Sequence, residues 1–115
     1  MKLMRVTTRM VGDTPVVELS GELDISTSQD LEQELVRVGR RGAPTTVVDL
    51  RSLTFIDSTG LRTILGADIR SRERGARLLV VPGPPPVQRV FEIALLDRRL
   101  EFVDDPDALP ERGES

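Results

Sequence analysis

The spacing of apolar and polar positions changes period several times along the chain. Residues 3–10 alternate weakly, with Met4, Val6, Thr8 and Met10 on one side. Gly12-Asp13 then leads into Pro15-Val16-Val17-Glu18-Leu19, which predicts a hairpin with its first strand at a sheet edge. Gly21-Glu22-Leu23-Asp24 reads as the loop that follows. Ser26 with Gln29 three residues on has the form of a capping box, and Leu31, Leu35 and Val38 mark the buried stripe of a first helix. That helix is expected to end between Gly39 and Gly42, with Arg37, Arg40 and Arg41 as solvated partners of its negative pole.

Thr45 to Leu50, TTVVDL, is a β-branched run of the kind found in a strand covered on both faces. The stretch LTFIDSTGLRTIL, Leu53 to Leu65, then holds a polar knot between an apolar strand-like run and a helix-like one. Leu61, Ile64, Leu65 and Ile69 predict the apolar stripe of a second helix closing at Gly75, with Ser58 and Thr59 in its first turn and in solvent reach. Ala76 to Val81 is the next buried strand, and the prolines of residues 82–86 force an extended entry into a third helix. Val87, Val90, Phe91, Ala94 and Leu95 give that helix a full apolar face, Leu100 to Val103 forms a last short strand, and residues 104–115 read as a frayed tail.

Strands alternating with helices predict an α/β domain over residues 1–104, built on a mixed, mostly parallel sheet of about five strands with helices packed against it. A flexible acidic tail, 105–115, follows. Loops after parallel strands emerge at one edge of the sheet, so Asp24 to Ser26, Asp57 to Thr59 and Pro82 to Pro84 are expected to form a single face.

Composition narrows what that face can do. At 115 residues the chain is large enough to bury roughly two thirds of its unfolded surface as one domain, without a metal or disulfide. Cysteine and histidine are absent, which excludes thiol and imidazole catalysis and a His-ligated metal. Lys2 is the only lysine, so a phosphate-binding P-loop and a Schiff-base lysine are excluded too. A net charge of -3 argues against nucleic acid as a partner. No apolar run approaches the length of a membrane span and no signal peptide is visible at the N-terminus; the expectation is a soluble, cytoplasmic protein.

The first turn of a helix tolerates added negative charge, because its amides lack intrahelical partners and the macrodipole is positive there. A serine at that position is a plausible phosphate carrier. Spacing alone favours the plainer reading: Asp57 or Ser58 serves as an N-cap and Gly60 fits a tight turn. In either case the hydroxyl has no base, lysine or metal cluster of its own with which to attack ATP, no glycine-rich cradle accompanies it, and no cofactor is implied. A hydroxyl here is a substrate rather than a catalyst.

Phe55-Ile56-Asp57-Ser58-Thr59-Gly60-Leu61, with Gly21-Glu22-Leu23-Asp24 upstream, resembles the STAS domain of bacterial anti-sigma factor antagonists, over nearly the whole chain to about Val103. The resemblance implies a regulator of transcription that works by partner switching. Such antagonists bind an anti-sigma factor that is itself a serine kinase and so release a sigma factor. The kinase inactivates them by phosphorylation, and a metal-dependent serine phosphatase restores them. The family's acceptor falls on Ser58, with Thr59 as the alternative hydroxyl, and the implied partner-binding face comprises Asp24, Ser26, Asp57, Ser58, Thr59, Gly60 and Arg62. One departure lies near the end of the third helix: relatives often carry Phe followed by Gly-Leu there, whereas this chain has Phe91 with Ala94-Leu95-Leu96 and lacks the glycine that would end the helix. Two other readings fit the same fold, a docking subunit of a transport or lipid-trafficking ATPase assembly and a small nucleotide-binding protein.

Overall fold

The computed structural model describes residues 3–106. Its elements run β1 (Met4–Val11), β2 (Thr14–Leu23), α1 (Ser28–Gly39), β3 (Thr45–Ile56), α2 (Ser58–Glu73), β4 (Arg77–Val81), α3 (Pro85–Ile93) and β5 (Glu101–Phe102). The five strands form one sheet in chain order, β1 antiparallel to β2 at one edge and every later pair parallel. The expected α/β architecture and the edge hairpin are therefore found. Of the expected acidic tail, residues 107–115 lie outside the described part of the chain.

Strand parity divides the core. Val17, Leu19 and Leu23 of β2, Val48, Leu50 and Leu53 of β3, and Leu78 and Val80 of β4 meet buried residues of the three helices, among them Leu31, Leu35, Ile64 and Phe91. The alternate positions Val16, Val47, Leu79 and Val81 form a second, smaller cluster on the other side of the sheet. The α1 stripe of Leu31, Leu35 and Val38 is buried as its spacing predicts.

Four expectations change. Gly21, Glu22 and Leu23 are the end of β2 and not a loop, and β3 runs to Ile56 instead of stopping at Leu50. The reason is long-range pairing. Ser20 lies opposite Ser52 and Leu23 opposite Ile56, with register shifts that put extra residues into β3 and break its two-residue period. Ile69 is 39% exposed, because the α2 stripe moves round to Ala67, Asp68 and Ser71. In α3 only Val87 and Phe91 are buried; the helix stops at Ile93, and Leu95 is exposed beyond it.

The longer β3 also separates the loops. Its last pairing with β4 joins Asp49 to Val81, seven positions before Ile56, and Gly83 sits against the Leu50 carbonyl. At about 3.3 Å per residue, the loop of Pro82 to Pro84 lies on the order of 20 Å back along the sheet from Asp57. It is therefore not part of the face formed by the other two loops.

Candidate functional site

The two remaining loops are tied together at the ends of β2 and β3, where the Asp57 amide donates to the Leu23 carbonyl at 3.1 Å. A backbone irregularity precedes each of them. Gly21, in the left-handed region at φ 98°, lets the end of β2 pass beneath β1: a Cβ there would stand 2.0 Å from the Leu3 carbonyl oxygen, and the next amide, of Glu22, donates to that same oxygen.

The loop that follows is organised by Asp24. Its Oδ1 accepts from the Ser26 amide at 2.9 Å and the Ser26 hydroxyl at 2.7 Å. The Thr27 hydroxyl accepts from the Asp24 amide and donates to the Glu22 carbonyl. The Ser26 hydroxyl, chiefly, holds the half-buried Asp24 carboxyl below its ordinary range, so this position carries a fixed negative charge. The expected capping box at Ser26 does not form. Ser26 is engaged by Asp24, and Thr27, which occupies the N-cap position, makes no side-chain cap hydrogen bond because its hydroxyl is held by the Asp24 amide and the Glu22 carbonyl.

Asp57 is the N-cap of α2. Its backbone is extended, and Oδ1 accepts from the amides of Thr59 and Gly60 at 3.0 and 3.1 Å. Ser58 is the first helical residue and is exposed; Thr59 is half-buried. Gly60 is buried inside the helix and does not form a tight turn. Its role is close approach: a Cβ there would come within 2.6 Å of Leu23 Cγ and 3.0 Å of Ile56 Cγ1. That contact seats the start of α2 on the ends of the two strands. Among the described residues, no group of three or more acidic side chains gathers to hold a metal, and no helix is long and apolar enough to cross a membrane.

Residues 6–104 match the family described as Mlab, STAS domain. This chain belongs to the STAS-domain family. It is 33% identical over 91 residues to the anti-sigma F factor antagonist of Paenibacillus polymyxa, covering 78% of each protein. An anti-sigma factor antagonist from Mycobacterium paratuberculosis superposes with a TM-score of 0.80 at 25% identity, over 90% of this chain and 88% of that one. SpoIIAA shows the same fold at 24% identity, with a TM-score of 0.76 in its unphosphorylated form (90% of this chain, 92% of that one) and 0.70 in its phosphorylated form from Bacillus (90% and 96%).

Within this STAS domain, then, Asp24, Ser26, Asp57, Ser58 and Thr59 come together at one end of the sheet, with Gly60 beneath them. Arg62 is exposed one helical turn after Ser58 and lines a shallow cleft with Thr59, Thr63 and Glu32. Sequence reasoning missed two neighbours at the same end of the sheet. Ile25 is 78% exposed and Phe55 47% exposed, flanking the acidic loop and the serine respectively. Exposed apolar side chains at the rim of a polar site suit a protein interface. Phe55 escaped notice because an apolar residue in a strand is read as core until its parity is known; Ile25 stands alone between polar neighbours, which was the available signal.

Proposed function

We propose that this STAS domain is an anti-sigma factor antagonist whose binding face is switched by phosphorylation of Ser58. Similarity to proteins named for that role supports the assignment. The observation that carries the mechanism is the exposure of Ser58 as the first residue of α2, beside the capping Asp57 and at the same sheet end as Asp24. The partner is an anti-sigma factor that is also the serine kinase, and a metal-dependent serine phosphatase reverses the modification.

Unmodified, the face presents a neutral hydroxyl, two carboxylates and two exposed apolar side chains. An arginine-bearing partner surface complements that set, with Asp24 and Asp57 available for charge-assisted hydrogen bonds. Phosphate adds about -1.5 to -2 charges at pH 7, on a helix end that tolerates them. The fold is kept while the interface acquires unmatched charge. Like-charge contact across an interface costs several kcal/mol, and about 1.4 kcal/mol is tenfold in affinity.

The test is binding of Ser58→Ala and Ser58→Glu to the anti-sigma factor kinase, with phosphate incorporation followed by mass spectrometry. Both variants are expected to fold. The alanine variant should bind and take up no phosphate; the glutamate variant should bind at least tenfold more weakly than the alanine one. Equal affinities would reject the charge switch, and phosphate on Thr59 in the wild type would move the acceptor.

A further inference from the structure

A second surface lies on the far half of the two long helices, away from Ser58. There α1 and α2 diverge over a groove of about 320 Å³, the size of a small-ligand cleft. Its floor is apolar, made by Leu35 and Val36 of α1, Ala67 of α2 and Leu78 of β4, with the buried hydroxyl residues Thr46 and Ser71 beside them. Its rim is cationic: Arg40 stands on one side, Arg70 and Arg74 on the other.

These arginines differ from others in the chain. Arg9, Arg37, Arg51, Arg72 and Arg77 each pair with a carboxylate, whereas the side chains of Arg40, Arg70 and Arg74 make no ion pair or hydrogen bond among the described residues. Three unpaired guanidiniums thus converge on one groove of a chain whose net charge is -3. Arg74 reaches across it, since a Cβ on Gly39 of α1 would meet its Nη2 at 3.1 Å. Cations around an apolar floor fit a ligand with one anionic end and one hydrocarbon body. Guanidinium binds carboxylate with paired hydrogen bonds, and the floor shields a chain from water.

We propose that this groove binds a single-chain amphiphilic carboxylate of the fatty-acid class. The head sits between Arg70 and Arg74, and the acyl chain runs over Leu35, Val36 and Ala67. The groove borders the phospho-switch face only through Arg70, which also lines the cleft of Thr59 and Arg62, and the proposal stands independently of the function assigned to that face.

The experiment titrates octanoate, decanoate and dodecanoate, each as monomer, into the full chain and follows backbone amide NMR shifts. Acetate and an uncharged alkyl glucoside serve as controls. Shifts are expected at Gly39, Ala67 and Ser71 with little change at Ser58 to Gly60. Affinity should rise about fourfold for each added methylene that reaches the floor, and acetate should not bind measurably. Arg70→Gln with Arg74→Gln should weaken dodecanoate at least tenfold, and Gly39→Leu should do so by filling the groove without changing charge. The proposal is overturned if those amides stay still, if the glucoside binds as well as dodecanoate, or if both variants bind like the wild type.

Discussion

The amide of Asp57 donates to the carbonyl of Leu23 at 3.1 Å, and this one bond joins the end of β2 to the start of α2. Asp24 follows Leu23 directly and Ser58 follows Asp57, so the bond fixes the separation of the acidic loop and the serine. Gly60 completes the joint from below, and its backbone is ordinary helix, not left-handed. What it supplies is the absence of a side chain.

Gly60→Ala tests that joint. The new methyl would stand 2.6 Å from Leu23 Cγ and 2.9 Å from its Cδ2, closer than packed carbons allow. Overpacking of this sort costs about 1–3 kcal/mol, which outweighs the fraction of a kcal/mol that alanine gains in helix propensity. A urea denaturation curve should show a lower midpoint at unchanged slope, and amide shifts should move at Leu23, Ile56 and Ser58 together. A variant as stable as the wild type would mean that α2 can lift off the strands freely.

The extent of the fold that could be read from sequence follows from how local each cause is. The stripes of α1 and of the first half of α2, the strand Arg77–Val81 and the stops at Gly39 and Gly75 are set within a few residues and were legible. The end of β3 is set by pairing with β2 across register shifts, which no two-residue pattern in residues 51–56 can announce. That single miss also misplaced Pro82 to Pro84. At the site, residue types and order pointed to Asp24, Asp57 and Ser58, but local signals could not say that Ser26 would bind Asp24 instead of capping a helix. Nor could they say that Gly60 answers to a neighbour remote in sequence.

The end of α3 gives a prediction of opposite sign. Leu95 takes φ 61°, its amide donates to Glu92, and the Leu96 amide donates to Phe91, the pattern that usually places glycine at this point. The left-handed conformation costs an L-residue about 1–2 kcal/mol, and the side chain, 70% exposed, recovers little of it by burial. Leu95→Gly should therefore raise stability by about 0.5–1 kcal/mol after allowing for glycine's looser unfolded state. A rise of a few degrees in Tm is the expected reading, and a fall would show that Leu95 packs on something that its exposure conceals.

Ser26→Ala tests what holds the acidic loop charged. The Ser26 hydroxyl is the largest contributor to the lowered pKa of Asp24, whose ordinary value is 3.8. Removing it leaves the amide contact of residue 26 and the contacts of Thr27, and should bring the pKa part of the way up, as read from the carboxyl carbon in an NMR titration. The sign for stability follows from linkage. A carboxyl with a depressed folded pKa stabilises the protein above its unfolded pKa and loses that contribution as pH falls through the folded one. The wild type should exceed the variant in stability at neutral pH, and the gap attributable to this carboxylate should close in acid. An unmoved Asp24 pKa would assign the shift to the Ser26 amide and to Thr27.

Asp57 has two tasks that different substitutions separate. As N-cap it needs only an oxygen facing the amides of Thr59 and Gly60, which asparagine also offers; as part of the proposed binding face it needs charge. Asp57→Ala should lose about 0.5–2 kcal/mol of stability through the empty cap, while Asp57→Asn should stay within about 0.5 kcal/mol of the wild type. If the carboxylate meets a partner's guanidinium, the asparagine variant should nonetheless bind the anti-sigma factor kinase at least tenfold more weakly, since a hydrogen bond between charged groups contributes about 1.5–3 kcal/mol. Calorimetric binding beside thermal unfolding of the same samples makes the two effects independent. Wild-type affinity in a stable Asp57→Asn protein would confine Asp57 to capping and leave Asp24 as the charge that the partner reads; lost affinity in that stable protein would place both carboxylates in the interface.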